Sequence, residues 1–307
     1  MTVRIGIVGA GKIAADQHVP ALRNDPAFAL IACADPRRRI EGVASYPSLE
    51  AMLEGAPDLD SIAVCTPPQT HFALASLALL RGKHVLLEKP PCSTLAELDE
   101  LTRIAREGSR TLFQAWHARH AAAVNDAATW LKPRRIRHAA IVWKEDVRVW
   151  HPGQSWIWQA NGFGVFDPGI NALSILTKIV VQDIALQSAE LLVPANRKAP
   201  IAAHLQFETQ SGAEIVADFD FRQRGEQIWD IDIETDGGTL KLSHGGSVMA
   251  VDGKPIAVPP QREYPALYRR FAQLIARGES DVDARPFQLA IEALTHGKRV
   301  TVEAFDD

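Results

Sequence analysis

A glycine-rich turn, an acid followed by three arginines, and a lysine set between a glutamate and two prolines are the residues whose types and order could do chemistry. Gly9-Ala10-Gly11-Lys12-Ile13-Ala14 follows the apolar run Val3 to Val8 and matches GxGxx(G/A) where a strand should give way to a helix. The first glycine permits a tight turn, the second lets a pyrophosphate approach the backbone, and Ala14 keeps helix and strand close. The helix N-terminus adds free N–H groups for phosphate. Gly9, Gly11, Lys12 and Ile13 are therefore candidate dinucleotide contacts, with a purely structural glycine turn as the plain alternative. Asp35 stands near the ~20-residue offset at which an acid holds the adenosine 2′-hydroxyl, which favours NAD. Arg37, Arg38 and Arg39 follow at once. Arg37 is the candidate partner of a 2′-phosphate, so NADP is allowed as well, and a solvated helix start is the other reading of these arginines.

Two further turns fall at strand ends. Cys65-Thr66-Pro67-Pro68, with His71 beyond it, belongs at the carboxyl edge of a parallel sheet, where ligands lie in open α/β folds. Cys65 has no neighbouring His or Cys, so its thiol reads as a small buried group. Glu88-Lys89-Pro90-Pro91 lies at the same edge and places a lysine where nicotinamide and substrate would meet, with Glu88 beside it. Consecutive prolines stiffen that turn, and the Lys89-Pro90 bond is a candidate cis peptide.

These turns need a scaffold to bring them together. Strands read at Val3 to Val8, Phe28 to Ala34, Ser61 to Cys65, Val85 to Leu87 and Thr111 to Ala115, with helices ending near Leu22 and spanning Leu49 to Leu53, Phe72 to Leu80 and Leu95 to Glu107. That alternation predicts an N-terminal doubly wound Rossmann domain over 1–118. After a helix at Ala121 to Leu131 the apolar period becomes 2, with strands at Ile136 to Trp143, Ile201 to Phe207, Glu214 to Phe221, Ile228 to Thr235, Thr239 to Ser243 and Val248 to Val251. Asp236-Gly237-Gly238 and Asp252-Gly253 separate hairpin strands. Helices at about Gly169 to Ile179, Tyr264 to Arg277 and Pro286 to Lys298 would cover that sheet. The fold class is α/β plus α+β, the second domain, 119–307, having a large and mostly antiparallel sheet.

Composition narrows the partners. With 307 residues, 47% hydrophobic, the chain can build two proper cores. Its 33 Lys and Arg against 37 Asp and Glu give a net charge of −4, with no field for nucleic acid or an anionic membrane. Cys33, Cys65 and Cys92 form no CxxC pair, and the histidines form no HxH or HExxH cluster, so neither a disulfide framework nor a metal site is expected. The start lacks a leader pattern and no window reaches a membrane span, so the reading is a cytoplasmic protein.

Taken together, GxGxxA, the strand-end CTPP and the EKPP loop, followed by an antiparallel second domain, resemble the Gfo/Idh/MocA oxidoreductases. Gly11 to Pro20 (GKIAADQHVP), Trp143 to Trp158 and Gly164 to Leu173 (GVFDPGINAL) are similar to those members of the family that oxidise C1 of D-galactose and L-arabinose. The resemblance implies an Asp and a His four apart on a helix, acting with the lysine of the EKP loop. Here the pair is Asp167 and Asn171, so the usual histidine base is missing. It implies Asp167 as base, Lys89 as clamp on the reacting hydroxyl and Asn171 orienting the sugar, with Lys89 as base the alternative. Without the resemblance, Asp-Pro-Gly also reads as a helix-start cap. Homo-oligomerisation, as dimer or tetramer, is implied as well.

A sugar needs flat apolar rings for its C–H faces and paired donors and acceptors for its hydroxyls. Glu145, Asp146, Arg148, Trp150, His151, Trp156 and Trp158 offer both within 14 residues. Glu145, His151, His117 and, from a later strand, Trp229 are the chosen sugar contacts; a core or interface cluster is the bland account. Glucose, xylose or inositol as substrate, or a silent dinucleotide-binding regulator, are the competing functions.

Overall fold

The computed structural model describes residues 2–260 and 262–306. They form two compact units, one of 2–116 with 264–284, the other of 117–260 and 262–263 with 285–306.

In the first unit, β1 (Val3–Val8) leads through the glycine turn into a π-helical turn, Ala14–His18, and then α1 (Val19–Arg23). There follow β2 (Phe28–Ala34), β3 (Ala44–Tyr46), α2 (Leu49–Gly55), β4 (Ser61–Val64), α3 (His71–Leu80), β5 (His84–Leu87), α4 (Leu95–Glu107) and β6 (Leu112–Gln114). The six strands are all parallel in the order β3-β2-β1-β4-β5-β6. The order reverses beside β1, which brings the turns after β1 and β4 together at the carboxyl edge. Thr94 and Glu97 form a capping box that fixes the start of α4.

The second unit contains α5 (Val124–Leu131), β7 (Ile136–Lys144), α6 (Val147–Trp150), α7 (Phe166–Ile179), β8 (Ile184–Pro194), β9 (Ala202–Thr209), β10 (Glu214–Asp220), β11 (Ile228–Thr235), β12 (Gly238–Ser243), β13 (Val248–Val251) and β14 (Lys254–Ile256). The chain then runs through α8 (Glu263–Arg277) and ends with α9 (Arg285–His296) and β15 (Lys298–Val302). Nine strands pair as β14-β13-β12-β11-β7-β10-β9-β8-β15, antiparallel except for β7 with β10 and β8 with β15. One face buries Ile141, Phe207, Ile215, Phe219, Ile231 and Ile233. Gly169 lets α7 lie against that face, because a Cβ there would stand 2.5 Å from the Phe219 ring.

Two sequence expectations change. The helix at 264–277 does not cover the second sheet. Its stripe of Tyr264, Leu267, Tyr268, Phe271 and Leu274 packs in the first unit against Ile5, Ile7, Phe28 and Phe113, with the Phe271 ring 6.1 Å from Phe28 and 6.0 Å from Phe113. Beyond it, the Asp281 N–H donates to Leu112 O and the Gln114 N–H to Asp281 O, fastening the segment to the sheet edge. A 3.6-residue period says which face of a helix is buried, not which sheet buries it. Fully burying Phe271 contributes about 1.5–3 kcal/mol wherever the ring is buried. The other change is four strands that the periodicity did not disclose, β3, β8, β14 and β15. In β8 a bulge between Leu186 and Ser188 breaks the alternation, and the other three are short and largely exposed.

Candidate active site

The dinucleotide side lies in the first unit. Gly9 has φ +90°, and a Cβ on it would sit 2.8 Å from Thr66 Cγ2 and 3.0 Å from the Cys65 carbonyl. The glycine is needed twice, for its backbone angle and for the approach of the Cys65-Thr66 turn. A Cβ on Gly11 would meet only Arg38 Nη1, at 3.8 Å, so that position is open to a ligand. Such a cradle fits a pyrophosphate. Ile13 packs on the core, and Lys12 is exposed and paired with Asp16.

Asp35 does more than the sequence reading asked. Its Oδ2 accepts the Ala10 N–H at 2.9 Å and its Oδ1 accepts those of Arg37 and Arg38 at 2.8 Å. Burial opposes the charged carboxylate, but these three donors and the Arg38 charge outweigh it and hold the pKa below the usual value. Three of about four acceptor positions are thereby used. Arg38, not Arg37, reaches back over the glycine turn, its Nη1 3.5 Å from Ala10 O, while Arg39 donates to the carbonyls of Asp35 and Arg38. Which of the arginines reaches the glycine turn is set by the backbone turn at Asp35, which spacing does not reveal.

After β4, Pro67 and Pro68 begin a short 3-10 turn, and Thr70 Oγ1 donates to Thr66 Oγ1 at 2.8 Å. Cys65 is buried, and burial, reinforced by Glu88, pushes its thiol well above the ordinary value. Its side chain is the inert small group the sequence suggested, and its backbone meets the glycine turn. His71 is fully buried and ties two turns together. Nε2 lies 2.6 Å from Thr66 O, and Nδ1 lies 3.0 and 3.2 Å from the carbonyls of Pro90 and Pro91. Carbonyls face both ring nitrogens and the neutral ring has one N–H to donate, so His71 acts on the turns rather than on a dinucleotide. The Lys89-Pro90 bond is cis, and Lys89 is half-buried beside the buried Glu88.

Burial lowers the His71 pKa, more than the facing carbonyls and Glu88 raise it. A depressed folded value means that below about 6.5 the unfolded state binds the extra proton, so stability is full above that pH and lost as the pH falls. The expected contribution to the slope is up to about 1.4 kcal/mol per pH unit. Denaturant unfolding between pH 8 and 5 should show a shallower decline for His71→Gln than for the parent; equal declines would contradict this origin.

The second unit holds the other group of candidates. The chain from β7 to α6 brings Glu145 and His151 together, β11 supplies Trp229, and α7 supplies Asp167. Glu145, 4% exposed, accepts from Trp229 Nε1 at 3.1 Å and lies 3.4 Å from His151 Nε2. The same Nε2 is 3.7 Å from Asp167 Oδ2. Asp167, 3% exposed, sits in the first turn of α7, where the helix dipole favours a carboxylate. The N-cap position falls on Val165, so the capping account of Asp167 does not describe this helix. Asn171 is half-buried one turn on, with no partner for its amide among the described residues. Trp143 stacks on Trp229 at 6.0 Å and Trp150, partly exposed, tilts against it at 5.1 Å. Carboxylates, an imidazole, an amide and indole faces are thus assembled, as hydroxyl-rich ligands require.

Other candidates fall elsewhere. His117 Nδ1 pairs with Glu263. Arg148 forks onto Asp146 at 2.8 and 2.9 Å and lowers its pKa by that bond. Trp158 packs in the core against Phe221 and Phe305. The sequence reading did not choose Arg38 over Arg37, and it met Trp143, whose buried Nε1 has no partner among the described residues, only as the end of a strand and the start of the segment to Trp158. Among the described residues no cluster of His, Cys, Asp and Glu could hold a metal ion, and no helix is long and apolar enough to cross a membrane.

Comparison with known proteins gives four likenesses. The Gfo/Idh/MocA model, described as an oxidoreductase family with an NAD-binding Rossmann fold, matches residues 3–115. Galactose 1-dehydrogenase of Pseudomonas fluorescens is 46% identical over 305 residues, 99% of either chain. The crystal structure of D-galactose-1-dehydrogenase from Rhizobium etli superposes with a TM-score of 0.95 at 47% identity, covering 99% of this chain and 98% of that one. A 3-ketoreductase from Actinomadura kijaniata, in complex with NADP and TDP-benzene, has a TM-score of 0.87 at 21% identity, with 98% and 100% covered, a likeness of fold alone.

Proposed function

Because the chain belongs to the Gfo/Idh/MocA oxidoreductases, whose Rossmann fold binds NAD, we propose that it is an aldose 1-dehydrogenase acting on D-galactose. The observation that carries this reading is the 46% identity to a galactose 1-dehydrogenase over 99% of both chains. The group of Glu145, His151, Asp167 and Trp229 supports it, since each element of sugar recognition is present there. L-Arabinose in its pyranose form has the galactose ring without the C6 hydroxymethyl, so it is the natural second substrate.

The Gly9 and Gly11 turn, the Cys65-Thr66-Pro67-Pro68 turn and the β2 end would hold the dinucleotide, which would supply the acceptor for the C1 hydride. Asp167 takes the proton of the anomeric hydroxyl as C1–O becomes a lactone carbonyl. Lys89 donates a hydrogen bond to that oxygen as charge develops. Glu145 and His151 hold ring hydroxyls, Asn171 orients the sugar, and Trp229 gives an apolar face. Arg38 over the glycine turn favours a 2′-phosphate, while Asp35 keeps one acceptor position for a 2′-hydroxyl, so both NADP and NAD serve.

The testing experiment follows reduced nicotinamide absorbance with NAD or NADP and D-galactose, L-arabinose, D-glucose, D-xylose and myo-inositol. Galactose is expected to give the highest kcat/KM and arabinose the next. Turnover of inositol alone would move the reaction away from C1, and silence with every sugar while dinucleotide still binds would favour a regulator.

We also propose a homodimer through the open face of the nine-stranded sheet. Ala140, Val142 and Val216 floor a hollow there of about 530 Å³. His204 and Asp218 border it and are paired with each other, and Asp218 also pairs with Lys144. Sedimentation at twice the chain mass is expected; a monomer at micromolar concentration would refute it.

A further inference from the structure

Beneath the Lys89 turn, in the first unit, lies a buried cluster of titratable groups that the chemistry above does not use. Glu88 Oε1 accepts from Tyr264 Oη at 2.8 Å and lies 3.0 Å from His18 Nε2. Its Oε2 accepts the backbone N–H of Lys89 at 2.9 Å. His18 has no exposed surface, and its Nδ1 is 2.7 Å from Tyr268 Oη. With Nε2 donating to the carboxylate, Nδ1 is left to accept the Tyr268 hydroxyl, so one direction of donation satisfies the whole chain. The Tyr264 and Tyr268 rings also meet the imidazole edge-on, at 4.9 and 5.8 Å.

The members come from three different features of the fold. His18 ends the π-helical turn after the glycine loop. The two tyrosines stand one turn apart on α8, which arrives 176 residues after Glu88. A carboxylate removed from water is tolerated only with its lone pairs met. Here the donors that meet them also settle where Glu88 can lie, and the second oxygen of Glu88 grips the backbone of Lys89.

We propose that His18, Tyr264 and Tyr268 are positioning residues for Lys89, acting through Glu88. This rests on the reading of Lys89 as the group that binds the reacting hydroxyl. Removing one donor lets the carboxylate shift, and a displacement of ~1 Å at a reacting group can cost on the order of 100-fold in rate.

The test uses Tyr268→Phe and Tyr264→Phe, which keep the buried rings and remove only a hydroxyl, with His18→Asn beside them. Expected are a fall in kcat of about tenfold or more, dinucleotide binding by nicotinamide fluorescence within about twofold of the parent, and a larger isotope effect on kcat with C1-deuterated sugar as hydride transfer slows. In a Lys89→Ala background the same tyrosine changes should cost nothing further. Unchanged kcat in all three single variants, an unchanged isotope effect, or losses of equal size with and without Lys89 would each overturn the proposal. If Lys89→Ala itself turns over at the parent rate, the role of Lys89 falls, and the positioning role falls with it. That result is distinct from a failure of the network alone.

Discussion

Asp167→Asn is expected to lower kcat for the aldose by roughly 10²–10⁴-fold, the range that loss of a positioned general base produces. The substitution is nearly isosteric, so the first turn of α7 and its packing on Phe219 through Gly169 should survive. What disappears is the capacity to accept the anomeric proton. His151, with Nε2 3.7 Å from the lost carboxylate oxygen, is the other base nearby, and its Nδ1 is buried with no partner. A residual rate that vanishes in Asp167→Asn with His151→Asn, but not in His151→Asn alone, would show the imidazole substituting for the carboxylate. Stopped-flow turnover with saturating dinucleotide measures both, and dinucleotide binding should be unchanged throughout. A kcat within about threefold of the parent would remove Asp167 as the base and return that role to Lys89.

Replacing Gly9 by valine should cost both the fold and the cofactor. A residue with a Cβ at φ +90° carries about 1–3 kcal/mol of backbone strain. Added to it is the clash with Thr66 Cγ2 at 2.8 Å and the Cys65 carbonyl at 3.0 Å, which would force the two turns apart. Gly11→Ala separates the two effects, because its Cβ has only Arg38 Nη1 in reach, at 3.8 Å, and no positive φ. The expected result is a lowered melting temperature and lost dinucleotide binding for Gly9→Val, against an unchanged melting temperature and weakened binding for Gly11→Ala. Thermal unfolding alongside nicotinamide fluorescence titration reads both quantities. Equal melting temperatures for Gly9→Val and the parent would show that the turns separate freely.

Legibility in the sequence varied with how local the cause was. The bounds of β1, β2, β11 and β13 coincide with those read from the sequence, because continuous burial or alternation is written in adjacent residues. The cofactor turn was readable for the same reason: Gly9, Gly11 and Ala14 act through backbone geometry at fixed offsets. Asp35 was found by offset but not by orientation, since its carboxylate serves Ala10, Arg37 and Arg38 at once. His71 was placed on the cofactor, and only its burial among the carbonyls of Thr66, Pro90 and Pro91 reveals a structural tie.

The sequence by itself determined that this chain carries a dinucleotide turn, a parallel α/β half and a later sheet of hairpins, because these follow from spacing and period. It also singled out Glu145, His151 and Trp229 by residue type and Asp167 by resemblance, four side chains that the fold brings together. Tertiary structure alone decided that a helix near the C-terminus belongs to the first unit, that Arg38 rather than Arg37 overlies the glycine turn, and that His18, Tyr264 and Tyr268 converge on Glu88. Those pairings span up to 250 positions, as His18 and Tyr268 do. A side chain's period names the face it buries; its partner is chosen by whichever surface the folded chain brings opposite.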